Sequence, residues 1–177
     1  MANVTTPYGF RPVGIMYGLQ PYSVDSSNAT AIFRGDLIEG ESDGNVAPAA
    51  AGSTQLLGSC AGRAPAAVTS YTKTVLAATT AGTILVHGDP DQLYQAKHRA
   101  ADTTYAQTSL FNNADHVADA GSTVTGSSGH VLSGTTSTTA AGFRLLDFVI
   151  REDNEVAVGA DMICLCVEHA LETTTGV

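Results

Sequence analysis

From Ala29 to His169 the sequence is cut into short apolar runs by Gly, Pro, Asp and Asn, and this rhythm constrains the fold more than any other feature. Turn signals recur about every ten residues, the spacing of short strands joined by tight connections. The runs are TAIF, RGDLIEG, LLGSCAGRA, SYTKTVLAA, TILVHG, QLYQAK, FRLLDFVIRE and DMICLCVEH. Gly35-Asp36, Asp43-Gly44 and the DPD at Asp89 to Asp91 separate them. Only NNADHVADA and QAKHRAAD offer room for a helical turn or two. Thr, Val and Ile fit a pleated surface better than a helix. The pattern predicts an all-β fold, a compact β-barrel or β-sandwich of roughly seven to nine short strands. The serine- and threonine-rich stretch after Gly121 is bounded by strands and reads as a long surface loop or hairpin.

The expected organisation is an extended N-terminal arm over 1–28, a β domain over 29–170 and a short tail over 171–177. A core follows from the last two runs by period-2 alternation. FRLLDFVIRE sets Leu146, Phe148 and Ile150 on one face, and DMICLCVEH sets Ile163, Leu165 and Val167 on one face, with Met162, Cys164 and Cys166 opposite. The first set of six is the expected core. Cys60, Cys164 and Cys166 lack metal-site spacing and read as small buried hydrophobes. Without a disulfide framework, synthesis in a reducing cytoplasm is expected.

The arm is a different kind of text. Pro7, Pro12 and Pro21 exclude a regular helix, and Gly9, Gly14 and Gly18 loosen the chain. Yet Tyr8, Phe10, Ile15, Met16, Tyr17 and Tyr22 form a load too apolar for a free tail. The arm is expected to lie along a surface, of its own domain or of a neighbouring subunit. Tyr8, Phe10, Arg11, Ile15, Tyr17 and Tyr22 are the expected partner-binding residues.

The formal net charge is −9, and the eight Lys and Arg residues are scattered from Arg11 to Arg151. Such a chain repels phosphate backbones, so direct nucleic-acid binding is not expected. No apolar run reaches the ~18 residues of a membrane span, and the N-terminus lacks the pattern of a signal peptide.

One stretch, LFNNADHVADAGSTVTGSSGHVL, carries the residue types of chemistry: Asp115, His116, Asp119 and His130. Motifs do not support a site there. GSSGH places His130 where a nucleophile elbow needs its second Gly. Neither a zinc-protease motif nor a dinucleotide or phosphate loop occurs. A polar connection whose Asp and Asn residues bond their own backbone accounts for the same residues, with no metal, cofactor or catalysis. His87 and His169 are expected to cap or pack at strand ends. Asp89 and Asp91 are expected to be solvated turn acids, and Arg144 and Arg151 to pair with acids such as Asp147 or Glu152.

The order of motifs carries a resemblance. PYGFRPV is followed by AIFRGDLIEG, AAAGSTQLLGSCAG, HGDPDQLYQAK, ADHVADAGSTVTGSSGHVLS and FRLLDFVIREDNEVAVGADMICLCVEH. This series resembles the decoration, cement or head-stabilising proteins of tailed-bacteriophage capsids, from about Pro7 to His169 and most strongly in the C-terminal strand pair. Between Gly62 and Leu85 the chain departs from that family, whose members carry a more aromatic segment there. The resemblance implies a small β domain without enzymatic activity or cofactor. It implies a place on the outer surface of the virion after synthesis in the host cytoplasm, where the protein clips adjacent major capsid subunits together. With the arm covering a neighbour, a homo-oligomer is expected, a trimer first and a two-fold dimer second. Two other classes compete: a receptor- or glycan-binding β module on a phage head or tail, and a small hydrolase or metal enzyme using Asp115, His116 and His130. The absence of Trp weighs against a glycan-stacking platform.

Overall fold

A computed structural model describes residues 3–64, 74–102, 104–139 and 141–172. Among them, eleven strands build a β-sandwich: β1 (Arg11–Val13), β2 (Leu19–Val24), β3 (Leu37–Gly40), β4 (Val46–Pro48), β5 (Leu56–Arg63), β6 (Gly82–His87), β7 (Leu93–Lys97), β8 (Asn113–Asp119), β9 (Gly129–Ser137), β10 (Phe143–Phe148) and β11 (Asp161–Cys166). The one helical element among the described residues is a 3-10 turn at Gln107–Ser109. Six strands form one antiparallel sheet in the order β1-β7-β11-β10-β8-β9, and five form the other in the order β2-β6-β5-β3-β4. The all-β class is as the sequence predicts.

Three aromatic rings set the packing between the sheets. Phe10 stacks on Phe143 with centroids 4.6 Å apart, and Tyr94 meets both rings edge-on. Leu37 and Leu56 approach from the five-stranded sheet, while Leu145, Met162, Cys164 and Cys166 come from the six-stranded one. A second cluster contains Ile32, Ile38, Leu57, Cys60, Leu76, Ile84 and Val86. The neighbours Leu37 and Ile38, like Leu56 and Leu57, fall in different clusters. The five-stranded sheet is therefore apolar on both faces, and its strands read as continuous rather than alternating runs.

The β10–β11 pair corrects the expected core. Its buried face is Phe143, Leu145 and Phe148 with Met162, Cys164 and Cys166. Leu146, Ile163, Leu165 and Val167 are only half-buried, and Ile150 lies beyond β10 and is 95% exposed. Two causes combine. A bulge between Leu145 and Asp147 shifts the phase, so that Leu145 and Phe148, three residues apart, both point inward. Bulky rings already occupy the centre of the sandwich, and the small thiols opposite Phe143 and Leu145 fit beside them.

Two other expectations change. NNADHVADA holds no helical turn: residues from Asn113 onward form β8, which pairs with β9. QAKHRAAD ends β7 and then makes one hydrogen-bonded turn, in which Asp102 N–H donates to the Arg99 carbonyl at 3.2 Å. In SYTKTVLAA, Ser70 to Lys73 lie outside the described residues, and Leu76 makes an isolated bridge to Ile32.

The arm supplies an edge strand to each sheet. β1 pairs with β7 and β2 with β6, and Gly14 to Gly18 cross from one sheet to the other. Its entry depends on two glycines in left-handed backbone, Gly9 (φ 79°) and Gly35 (φ 90°). Phe10 N–H donates to the Gly35 carbonyl at 2.8 Å. A Cβ on Gly9 would lie 2.4 Å from the Gly35 oxygen, and one on Gly35 would lie 2.8 Å from the Tyr8 oxygen. Asn3 clasps the far end of the chain: its Nδ2 donates to the carbonyls of Glu155 and Val158 at 2.9 and 3.1 Å, and its Oδ1 accepts Glu155 N–H at 2.7 Å.

Candidate functional site

All five histidines are buried. His116 on β8 and His130 on β9 share the inner face, with ring centroids 6.0 Å apart and nearly parallel planes. Their strand neighbours turn elsewhere. Asp119 pairs with Arg99 at 2.9 Å, and Asp115 accepts Gly142 N–H at 3.1 Å. The structure therefore keeps His116 and His130 together and turns Asp115 and Asp119 away from them. It adds Asp36 instead, whose Oδ1 is 3.8 Å from His130 Nε2.

A serine, a histidine and an aspartate thus meet here, since Ser128 also hydrogen-bonds Asp36. They do not make a nucleophilic triad. His130 Nδ1 accepts Leu37 N–H at 3.2 Å, so the ring carries its proton on Nε2, towards Asp36. Ser128 is 1% exposed and its Oγ accepts His130 N–H. Ser128 and His130 are both buried in the sandwich. Burial, followed by the neighbouring His116, pushes the His130 imidazole down to about 3. Burial also lowers His116, and it raises the Asp36 carboxyl to about 6. Among the described residues no group of three His, Cys, Asp or Glu side chains stands close enough to hold a metal ion.

A second buried cluster is fully partnered. Asp161, at the start of β11, accepts from Lys97 Nζ at 2.7 Å, from Tyr8 Oη at 2.9 Å and from Arg151 at 2.8 Å. Burial alone would raise its carboxyl, but the bonds from Lys97, Tyr8 and Arg151 hold it below the ordinary value. Tyr8 moves the other way, raised by burial and by the Asp161 charge. Arg151 also pairs with Asp153, and Arg144 donates to Asn113 Oδ1 at 3.3 Å, in place of the expected Asp147 and Glu152. The three cysteines are free thiols in the core. Burial pushes Cys60 and Cys166 up to about 12, so they pack as neutral side chains.

The arm residues divide. Phe10 belongs to the chain's own core, and Tyr8 lies under the Arg11 guanidinium, 4.0 Å from the ring centroid. Tyr22 is half-buried against the second cluster. The crossing and the start of β2 present the rest: Ile15 is 76% exposed, Met16 64%, Leu19 45% and Tyr17 37%. The crossing is tied down at its base. Gln92, wholly buried, donates from Nε2 to the carbonyls of Val13 and Leu93 at 3.1 and 2.9 Å, and its Oε1 accepts Tyr17 N–H at 3.4 Å. Asp89 and Asp91 form the adjacent turn, where Asp89 Oδ1 accepts Asp91 N–H at 2.9 Å. Gln92 and Asp161 carry no motif in the sequence, and Lys97 follows no Gly-rich turn that would mark it. The available signal was a lone charged or amide residue at the end of an otherwise apolar strand.

Comparison of the chain with protein-family models, with curated proteins and with solved structures found no match.

Proposed function

We propose that the chain is a non-enzymatic structural protein of a phage virion, one that binds the outside of the head and cements adjacent major capsid subunits. The observation that supports this reading is the crossing between β1 and β2. It holds Ile15, Met16 and Tyr17 out from the sandwich, next to the exposed Leu19 of β2, while Gln92 fixes its base. Exposed apolar side chains on an ordered segment mark an interaction surface. An anchor already held in place loses little conformational freedom on binding. A self-assembled trimer, with a two-fold dimer as the second choice, would multiply such contacts around a shell.

The test is addition of the full chain to purified heads, followed by sedimentation. The chain should saturate the heads at a copy number near that of the major capsid protein. The triple variant Ile15→Ser, Met16→Ser, Tyr17→Ser should keep the far-UV spectrum of the unsubstituted chain and lose head binding. Equal saturation by the folded variant would remove the crossing as the contact. Failure of the unsubstituted chain to bind heads would remove the proposed function.

A further inference from the structure

Beyond the crossing, the molecule has a cleft of about 420 Å³ whose lining includes Arg11 and Pro12 of the arm, Arg34, Cys60 and Ala61 of β5, and His87 of β6. Its charge is opposite to that of the molecule. The chain carries −9, yet two of its eight Lys and Arg residues line this one cleft and no Asp or Glu does. Among the described residues Arg11 makes only its contact with the Tyr8 ring, and Arg34 donates Nε to the Ala61 carbonyl at 2.9 Å. Among the described residues no carboxylate lies within ion-pair distance of either. The wall also holds an unsatisfied polar atom: His87 is 8% exposed and its Nδ1 is buried without a hydrogen-bond partner.

We propose that this cleft binds a carboxylate carried on an apolar body, with the carboxylate on Arg11 and Arg34 and the body against Pro12, Cys60 and Ala61. A guanidinium presents paired N–H donors that match the two oxygens of a carboxylate. The volume is that of a small-molecule site or of a pocket for one peptide terminus. Multiply charged anions are disfavoured, because the field of the whole molecule opposes each further negative charge. Cys60 is a neutral thiol at this wall and forms no bond with the ligand. The proposal stands apart from head binding and survives its failure.

The test is titration of the full chain with benzoate, N-acetyl-L-phenylalanine, benzamide and inorganic phosphate, followed through backbone amide NMR shifts. Benzoate or N-acetyl-L-phenylalanine should move the amides of Arg11, Gly35, Ala61 and Ser127 and bind roughly tenfold or more tightly than neutral benzamide. Tighter benzoate assigns the site to free carboxylates, and tighter N-acetyl-L-phenylalanine assigns it to a polypeptide C-terminus. Arg11→Gln with Arg34→Gln should abolish the preference over benzamide, and Arg34→Lys should weaken it. The proposal is overturned if benzoate and N-acetyl-L-phenylalanine bind no better than benzamide, if phosphate binds more tightly than both, or if the folded double variant binds unchanged. Should the double variant not fold, the ranking of the four probes on the unsubstituted chain still decides.

Discussion

Asp161 and Asp36 are almost equally buried, at 1% and 2% exposure, yet their surroundings drive them in opposite directions. Asp161 meets a lysine, an arginine and a phenol, so its charge is compensated on several sides. Asp36 meets only neutral groups, the Phe33 N–H at 2.7 Å, the Ser128 hydroxyl and a histidine that burial keeps neutral, and its Oδ1 makes no hydrogen bond. Burial by itself does not determine what a carboxylate does to stability. The number and charge of its donors decide whether ionisation supports the fold or opposes it.

Four substitutions or conditions sharpen that contrast. The largest effect is expected for Lys97→Met, which leaves Asp161 with a buried, half-compensated charge and should cost about 3–5 kcal/mol in urea unfolding. Adding Asp161→Leu should recover part of that loss, and a double variant no more stable than the single one would break the account of the pair. Next is the core face. Leu145→Ala should cost about 2–5 kcal/mol and Leu146→Ala less than about 1 kcal/mol, because only the first empties the sandwich. Equal losses would return the core to the face that simple alternation predicts.

Third is pH. His130 falls from 6.5 to about 3 on folding, so the unfolded chain binds the extra proton, and stability is lost as pH drops below 6.5 towards 3. Asp36 rises from 3.8 to about 6, so the folded chain binds the extra proton and regains stability as pH falls through 6 towards 3.8. Between pH 7 and 5 the histidine loses on the order of 2 kcal/mol and the aspartate returns on the order of 1 kcal/mol. His116, also lowered by burial, adds to the loss. Thermal melts across this range should show a falling midpoint, flattened in His130→Gln, and an unchanged slope in that variant would refute the assignment. The smallest effect is Asp36→Asn. Above pH 7 it should lie within about 1 kcal/mol of neutral or stabilise, since it removes a charge the site does not compensate. A loss as large as that of Lys97→Met would mean that the two carboxylates are equivalent after all.

Turn chemistry and short apolar runs made the sandwich class legible before any coordinates, and the spacing of Cys164 and Cys166 showed that they share a face. Which face looks inward was not legible. A bulge at Leu145 to Asp147 leaves no mark in composition, and thiols score as weaker core formers than Ile and Leu. β8 and β9 were hidden because His116, His130, Asn113, Ala114 and Gly134 occupy inner positions that pattern reading assigns to large apolar residues. In the arm, Phe10 and Ile15 read alike, since a segment interrupted by Pro and Gly has no period to separate inside from outside. The contrast between a core Phe10 and an exposed Ile15 comes from the Gly9–Gly35 contact and the Gln92 staple, which join distant parts of the chain. The arginine cleft was illegible for the same reason, because its wall unites residues from five separate stretches.

The two edge strands of the arm also set the tempo of folding. Arg11 pairs with Gln95 and Leu19 with His87, so these segments leave the ribosome ahead of partners made some seventy to eighty residues later and wait for them. Asn3 waits longer still, for the loop at Glu155. Such distant pairings raise contact order and place folding in the slow regime of milliseconds to seconds. Through that interval Ile15, Met16 and Tyr17 sit on an unpaired segment. Refolding yield should therefore fall as protein concentration rises, and the serine triple variant should resist that fall.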